Sequence, residues 1–239
     1  MPNPTAAMIV IGDEILSGRT RDSNMHHLAG QLTSVGIDLK EVRVVGDEHG
    51  TIIAAVQQLA KVYDSVFTSG GIGPTHDDIT ADCIAAAFNK PIDVRDDARA
   101  ILAEHYAKSG TELNEARLRM ARIPDDATLI DNPVSAAPGF KLENVHVMAG
   151  VPAVFEAMVA SVLPTLTGGA PLISRTLRID RGEGDIAGPL GQVARDYPAL
   201  SIGSYPFQKD GKYGAQIVIR GNDAAAIDAA IGALEKIFL

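Results

Sequence analysis

The chain has 239 residues, a formal net charge of −9, 46% hydrophobic and 21% charged residues, and only 5% aromatic residues with no Trp. That length holds one large domain, or an ordinary domain with a smaller second one. The acidic balance argues against long-range attraction to nucleic acid or to an anionic membrane. The single cysteine, Cys83, excludes an internal disulfide, and no Cys or His cluster has zinc spacing.

The first apolar run, Ala6 to Ile11, is too short for a membrane span or for a secretory leader, so a cytoplasmic location is expected. It reads as a strand ending at Gly12. Ser23 to Leu32 reads as a helix stopped by Gly36, and Ile37 to Val45 as a strand that turns at Gly46-Asp47. Ile52, Ile53, Val56, Leu59 and Ala60 mark one face of a helix. Ser65 to Ser69 is the third strand and Ile79 to Phe88 the next helix, with Cys83 on its buried face. Apolar strands alternating with helices predict a parallel sheet covered on both faces.

Further on, Asp96 to Lys108 and Glu112 to Ala121 read as helices, and Phe140 to Leu142 with Val145 to Met148 as a hairpin turning at Glu143-Asn144. Gly150-Val151-Pro152 opens another helix, with Pro in its first turn. Two Pro and two Gly between Leu163 and Pro171 place a domain boundary there, giving domains at 1–168 and 169–239. The tail has a βαββα order: strand at Arg175 to Asp180, helix at Asp185 to Tyr197, strands at Ser201 to Tyr205 and Ala215 to Arg220, and helix at Asp223 to Phe238. Gly188-Pro189-Leu190-Gly191 has the spacing of an RNA-binding GxxG loop but lacks a basic cluster. It reads as a helix-breaking turn.

The most informative stretch is Thr68 to Thr80, where a strand gives way to Gly70, Gly71 and Gly73 and then to the paired acids Asp77-Asp78. A glycine turn that opens into a helix presents main-chain N–H groups to an anion. It matches neither the dinucleotide fingerprint, whose third glycine is missing, nor the P-loop, whose lysine is missing. Asp78 could cap the helix beginning at Ile79 or form a capping box with Thr75. Two adjacent carboxylates could equally hold a metal ion or act as a base. Gly12-Asp13-Glu14 and Gly46-Asp47 end the first two strands, so three acid-bearing exits converge on the sheet edge where ligands of open α/β folds bind. Asn24 could bond a ligand there, and His76 could meet a phosphate. No Ser/His/Asp or Cys/His nucleophile arrangement is present.

These motifs resemble the molybdopterin-binding domain of MogA and MoaB type, and within it the N-terminal region of the CinA family. Thr68 to Thr80 is similar to the TGGxGPTxDDxT pattern, with Ser69 where Gly is usual. Gly12 to Gly18 is similar to GTELLxG, Asp22-Ser23-Asn24 to DTN and Val44 to Asp47 to VVGD. Asn132-Pro133-Val134 and Ala137 to Phe140 match a late loop, and Gly150-Val151-Pro152 matches PGVP with Ala149 for the first Pro. The resemblance implies a three-layer αβα domain with a mostly parallel sheet and a small α+β KH-like C-terminal domain. It also implies a divalent-metal-dependent pyrophosphatase acting on ADP-ribose or a related nucleoside diphosphate. Relatives instead act in molybdenum-cofactor synthesis, and a non-catalytic nucleotide-binding oligomer is the third reading. The implied site has Asp78 and Asp77 as catalytic residues and Asp78 with Asp47 on a metal ion, Mg²⁺ by preference. Its substrate-binding residues are Gly12, Asp13, Glu14, Asn24, Ser69, Gly70, Gly71, Gly73, Thr75, Thr80, Gly139, Gly150 and Pro152. The implied partners are a nucleotide or phosphorylated small molecule and further copies of the chain, as a dimer or trimer, without nucleic acid or membrane.

Overall fold

The computed structural model describes residues 2–209 and 211–238. The chain divides into two compact units, Met1–Gly169 and Ala170–Leu239.

The first unit opens with strand β1 (Thr5–Ile11), a short helix α1 (Asp13–Leu16) and helix α2 (Asn24–Ser34). Strand β2 (Asp38–Val45), helix α3 (His49–Leu59), strand β3 (Ser65–Ser69) and helix α4 (Thr80–Ala87) follow. Next come β4 (Ile92–Val94), α5 (Asp96–Ser109), α6 (Glu115–Leu118), a 3₁₀ turn at Arg119–Ala121, and β5 (Arg122–Pro124). Strands β6 (Thr128–Ile130), β7 (Gly139–Leu142) and β8 (Val145–Met148) lead into helix α7 (Pro152–Val162). Six strands form one sheet in the order β2-β1-β3-β8-β7-β6. The pairs β1–β2, β1–β3 and β3–β8 are parallel, whereas β7 runs antiparallel to both neighbours.

Strand β1 shows why the unit has three layers. Ala7, Ile9 and Ile11 pack with Ile52, Val56 and Leu59 of α3 and Ile84 of α4. The alternate residues Ala6, Met8 and Val10 pack with Leu28 and Leu32 of α2 and with Phe155, Met158 and Val159 of α7. A strand buried on both faces needs apolar side chains at every position, hence its unbroken apolar run. Thr68 and Ser69 on β3 and His146 on β8 are buried polar residues of the neighbouring strands. His146 is 1% exposed and stacks on Phe67 of β3, with ring centroids 4.9 Å apart.

Two sequence expectations are corrected. The helix read over Glu112 to Ala121 shrinks to α6 and the 3₁₀ turn. The Asn114 side chain accepts the Arg117 N–H and starts the helix late. Chain exit is fixed by pairing of β5 with β4, which the three-residue strands do not announce in sequence. In the second unit, Gly188 to Gly191 lies inside a helix and does not break it. That unit has β9 (Ile173–Ile179), α8 (Glu183–Asp196), β10 (Ser201–Lys209), β11 (Lys212–Gly221) and α9 (Ala224–Phe238), with its three strands antiparallel in the order β10-β11-β9. Pro189 forfeits one helical hydrogen bond. Burial of Ile186, Leu190 and Val193 against Ile217, Ile219 and Leu234 offsets that loss.

No helix among the described residues is long and apolar enough to cross a membrane.

Burial, reinforced by the positive charge of Lys141, pushes the His146 imidazole down to about 4. The unfolded chain therefore takes up a proton near pH 6.5 that the folded chain refuses until about pH 4. The stability this position contributes is complete above pH 6.5 and falls between 6.5 and 4, by about 3 kcal/mol. Denaturant unfolding across that range should show a steeper loss for the native chain than for a His146→Phe variant. Equal slopes would contradict the assignment.

Candidate functional site

The parallel strands bring four exits to one sheet edge. Gly12 follows β1, Gly46-Asp47 follows β2, Gly70 to Asp78 follows β3, and Ala149 to Val151 follows β8. Strand β7 starts at the same edge, which adds the loop before Gly139. Together these exits enclose an open cleft of about 530 Å³.

Gly70 makes the closest approach. Its φ is +110°, and a Cβ there would strike the carbonyl oxygen of Ile11. A Cβ on Gly150 would in turn lie 3.2 Å from the Gly70 Cα. The Gly70 N–H donates to the Met148 carbonyl at 3.1 Å, so it is spent on joining β3 to β8. Gly71, at φ +68°, leaves no room for a Cβ against the Thr80 hydroxyl, and its carbonyl accepts the Thr80 N–H at 2.9 Å. The N–H groups of Gly71, Ile72 and Gly73 make no hydrogen bond among the described residues. These three, rather than Gly70, have N–H groups unspent within the protein.

The cleft wall is acidic. Glu14, Asp47, Asp77 and Asp78 line it, and among the described residues no basic side chain does. Asp47 accepts the Asp13 N–H at 3.0 Å. Burial holds its carboxyl above the usual carboxylate range. The Asp13 N–H works the other way, and the charges of Asp13, Glu14 and Asp77 add to the upward push. Asp78 does not cap α4, whose N-terminus at Ile79 has no side-chain cap. Its carboxylate instead accepts from the Thr75 N–H at 2.8 Å and the Thr75 hydroxyl at 2.6 Å. That pair closes the glycine loop on itself and leaves the acid facing the cleft beside Gly73. Among the described residues, no three His, Cys, Asp or Glu side chains come together as a ready metal cage.

Of the residues expected at the site, Gly12, Glu14, Asp47, Gly70, Gly71, Gly73, Asp77, Asp78, Gly150 and Pro152 line the cleft. Asn24 and Ser69 line a smaller recess that shares Glu14, Gly150 and Pro152 with it. Four lie elsewhere. The Asp13 carboxylate points to Gly46, with its Oδ1 2.5 Å from where a Cβ would stand. Thr75 serves Asp78, and Thr80 is fully buried beneath Gly71. Gly139 sits in the sheet because a Cβ would collide with the Val147 carbonyl. His76 is almost fully exposed on the loop.

The sequence reading missed Met120, Asn132 and Ser135 as cleft residues, and Arg119 just behind the loop. Asn132 is 3% exposed and organises its loop. It donates to the Ser135 hydroxyl and the Ala137 carbonyl and accepts the Val134 and Ser135 N–H groups. Its signal was the Asn-Pro-x-Ser spacing of a side-chain-stabilised turn. Arg119 donates to the Asp78 carbonyl at 3.3 Å and, with Arg122, lines a narrow recess beside Gly71 and Gly73.

The sequence profile of the family described as "Probable molybdopterin binding domain" matches residues 7–168, and that described as "FAD synthase, middle domain" matches residues 171–238. A protein of Archaeoglobus fulgidus is 33% identical over 230 residues, covering 96% of each chain. A "Probable FAD synthase" of Caenorhabditis briggsae is 32% identical over 98% of this chain and 50% of its own length. A "CinA-like protein" of Geobacter metallireducens is 32% identical over 82% of this chain and 50% of its own. The chain thus spans about half the length of these last two relatives. The solved structure of CinA from Thermoplasma acidophilum superposes with a TM-score of 0.62 at 33% identity, covering 67% of this chain and 98% of that one. The chain belongs to the molybdopterin-binding domain family, in its CinA-like part.

The crowding at Gly70 yields a test. A Gly70→Ala variant combines a strained φ with a main-chain collision and should lose about 3 kcal/mol of stability in denaturant unfolding. An unchanged midpoint would contradict the close approach of the three strand exits.

Proposed function

We propose that this CinA-like chain binds a nucleoside diphosphate in the glycine cleft and hydrolyses it with a divalent metal ion, with ADP-ribose as the first substrate to test. One juxtaposition carries the reading: free main-chain N–H groups at Gly71 to Gly73 stand in the same cleft as four carboxylates and, among the described residues, no cation. Such donors suit phosphate oxygens. The carboxylates would repel the same oxygens unless a cation lay between them.

The donor set fits Mg²⁺. Carboxylate oxygens are hard ligands, and Mg²⁺ is commonly held by one or two of them together with substrate phosphates rather than by a complete protein cage. Asp78 and Asp47 are the residues assigned to it. When bound, such an ion offsets phosphate charge and lowers the pKa of a bound water. The remaining work falls to the chain. Gly71 to Gly73 orient the diphosphate, and Asp77 at the rim is placed to take a proton from the attacking water. Ile72, Met120 and Val154 supply an apolar wall that limits solvent. The KH-like reading of the second unit comes from the resemblance, its matching family description is that of a FAD synthase middle domain, and no role in catalysis is assigned to it.

A second reading, molybdenum-cofactor synthesis, draws on the family description and would use the same anion site for a pterin phosphate. Incubating the protein with a panel of nucleoside diphosphates and several divalent metals, with products identified by mass, separates the two. The first reading expects AMP and ribose 5-phosphate from ADP-ribose. Rescue of a strain lacking molybdopterin adenylylation, without hydrolysis of any diphosphate, would overturn it in favour of the second. An Asp78→Asn variant should still bind nucleotide but turn over at least roughly a hundredfold more slowly. Full activity would remove Asp78 from the mechanism.

A further inference from the structure

The recess beside the main cleft has a volume of about 60 Å³ and is lined in part by Glu14, Thr20, Asn24, Ser69 and Gly150. Asn24 is 4% exposed. Its Nδ2 donates to the Ser69 hydroxyl oxygen at 2.7 Å and to the Gly150 carbonyl at 2.8 Å. A carbonyl can only accept, so this bond fixes the amide orientation and makes the remaining atom, Oδ1, the acceptor. That Oδ1 is buried and has no hydrogen-bond partner. A buried orphan acceptor costs on the order of 1–3 kcal/mol, so its retention at the wall of a recess points to a donor supplied from outside the chain.

Ser69 completes the pattern. Its oxygen accepts from Asn24, which leaves its proton free to donate. An acceptor and a donor side by side complement a hydroxyl group, which gives one hydrogen bond and takes another. Glu14 borders both recess and cleft, and its carboxylate is a further acceptor available to a second hydroxyl. The recess is far smaller than the adjoining cleft, about 60 Å³ against about 530 Å³. A recess of that size beside a larger cleft suits the edge of a sugar whose remainder lies in the cleft.

We infer that this recess is a diol subsite, in which Asn24, Ser69 and Glu14 grip the vicinal hydroxyls of a ribose whose phosphate lies on the glycine loop. The inference rests on reading the cleft as a phosphate site. It adds that the chain selects sugar phosphates over bare phosphates and over sugars lacking the diol.

The test uses the ¹⁵N-labelled full chain in Mg²⁺ with three probes: inorganic pyrophosphate, ribose 5-phosphate and 2-deoxyribose 5-phosphate. Pyrophosphate should shift the Gly71 to Gly73 amide signals and leave the Asn24 side-chain amide in place. Ribose 5-phosphate should move both, and bind at least roughly tenfold more tightly than the deoxy sugar. A Ser69→Ala variant, which keeps the Asn24 bond to Gly150, should bring the two sugars to within about threefold. Shifts at Gly71 to Gly73 with a still Asn24 amide and equal affinity for the two sugars overturn the subsite and leave the phosphate reading intact. Ribose 5-phosphate shifting Asn24 alone supports the subsite and overturns the phosphate reading. Silence at both places overturns both.

Discussion

The site depends on a main-chain contact rather than on any side chain. Gly70 stands where the exits of β1, β3 and β8 meet, against the Ile11 carbonyl on one side and Gly150 on the other. A side chain at that point would force the strands apart. Because none is there, the loop after β3 stays at the sheet edge with three N–H groups unspent. Asn24 reinforces the junction from α2, since its amide ties Ser69 at the end of β3 to Gly150 beyond β8. Thr75 and Asp78 close the far side of the loop. The donors are therefore held in place before any ligand arrives, which is what an anion site needs if binding is not to cost loop ordering.

Electrostatics then sets what that scaffold can accept. Main-chain donors favour an anion, yet Glu14, Asp47, Asp77 and Asp78 line the cleft with them, and Arg119 lines an adjoining recess where it donates to the Asp78 carbonyl. Burial pushes the Asp47 carboxyl up, and the charges of Asp13, Glu14 and Asp77 add to that push. A cleft of this kind is poorly matched to a bare polyanion and well matched to one that arrives with a cation. The same logic separates it from P-loop sites, where a lysine supplies the positive charge.

Much of the fold was legible because β1 is buried on both faces and reads as an unbroken apolar run, with short apolar cores in β3 and β8 beside it. The glycine loop and its acids were legible for a local reason, since turn glycines and paired carboxylates lie together in sequence. What was hidden depends on distant pairing. Strands β4, β5 and β6 have three residues each and carry no periodicity of their own. Met120 and Asn132 reach the cleft only because β5 and β7 place their flanking loops there. Asp13 shows the converse. It is adjacent to Glu14 in sequence, but the first turn of α1 points it towards Gly46, and only its N–H, through Asp47, serves the site. The Pro189 helix shows burial of one apolar face outweighing a local breaker.

On the proposed reading, the cleft takes a diphosphate only in company with a divalent cation. Calorimetric titration of the full chain with ADP-ribose, once in Mg²⁺ and once in a chelator, tests it most directly. The account predicts binding in Mg²⁺ and a loss of at least roughly tenfold in affinity without it, from the unscreened repulsion of the carboxylates. Equal affinity in both buffers would contradict it.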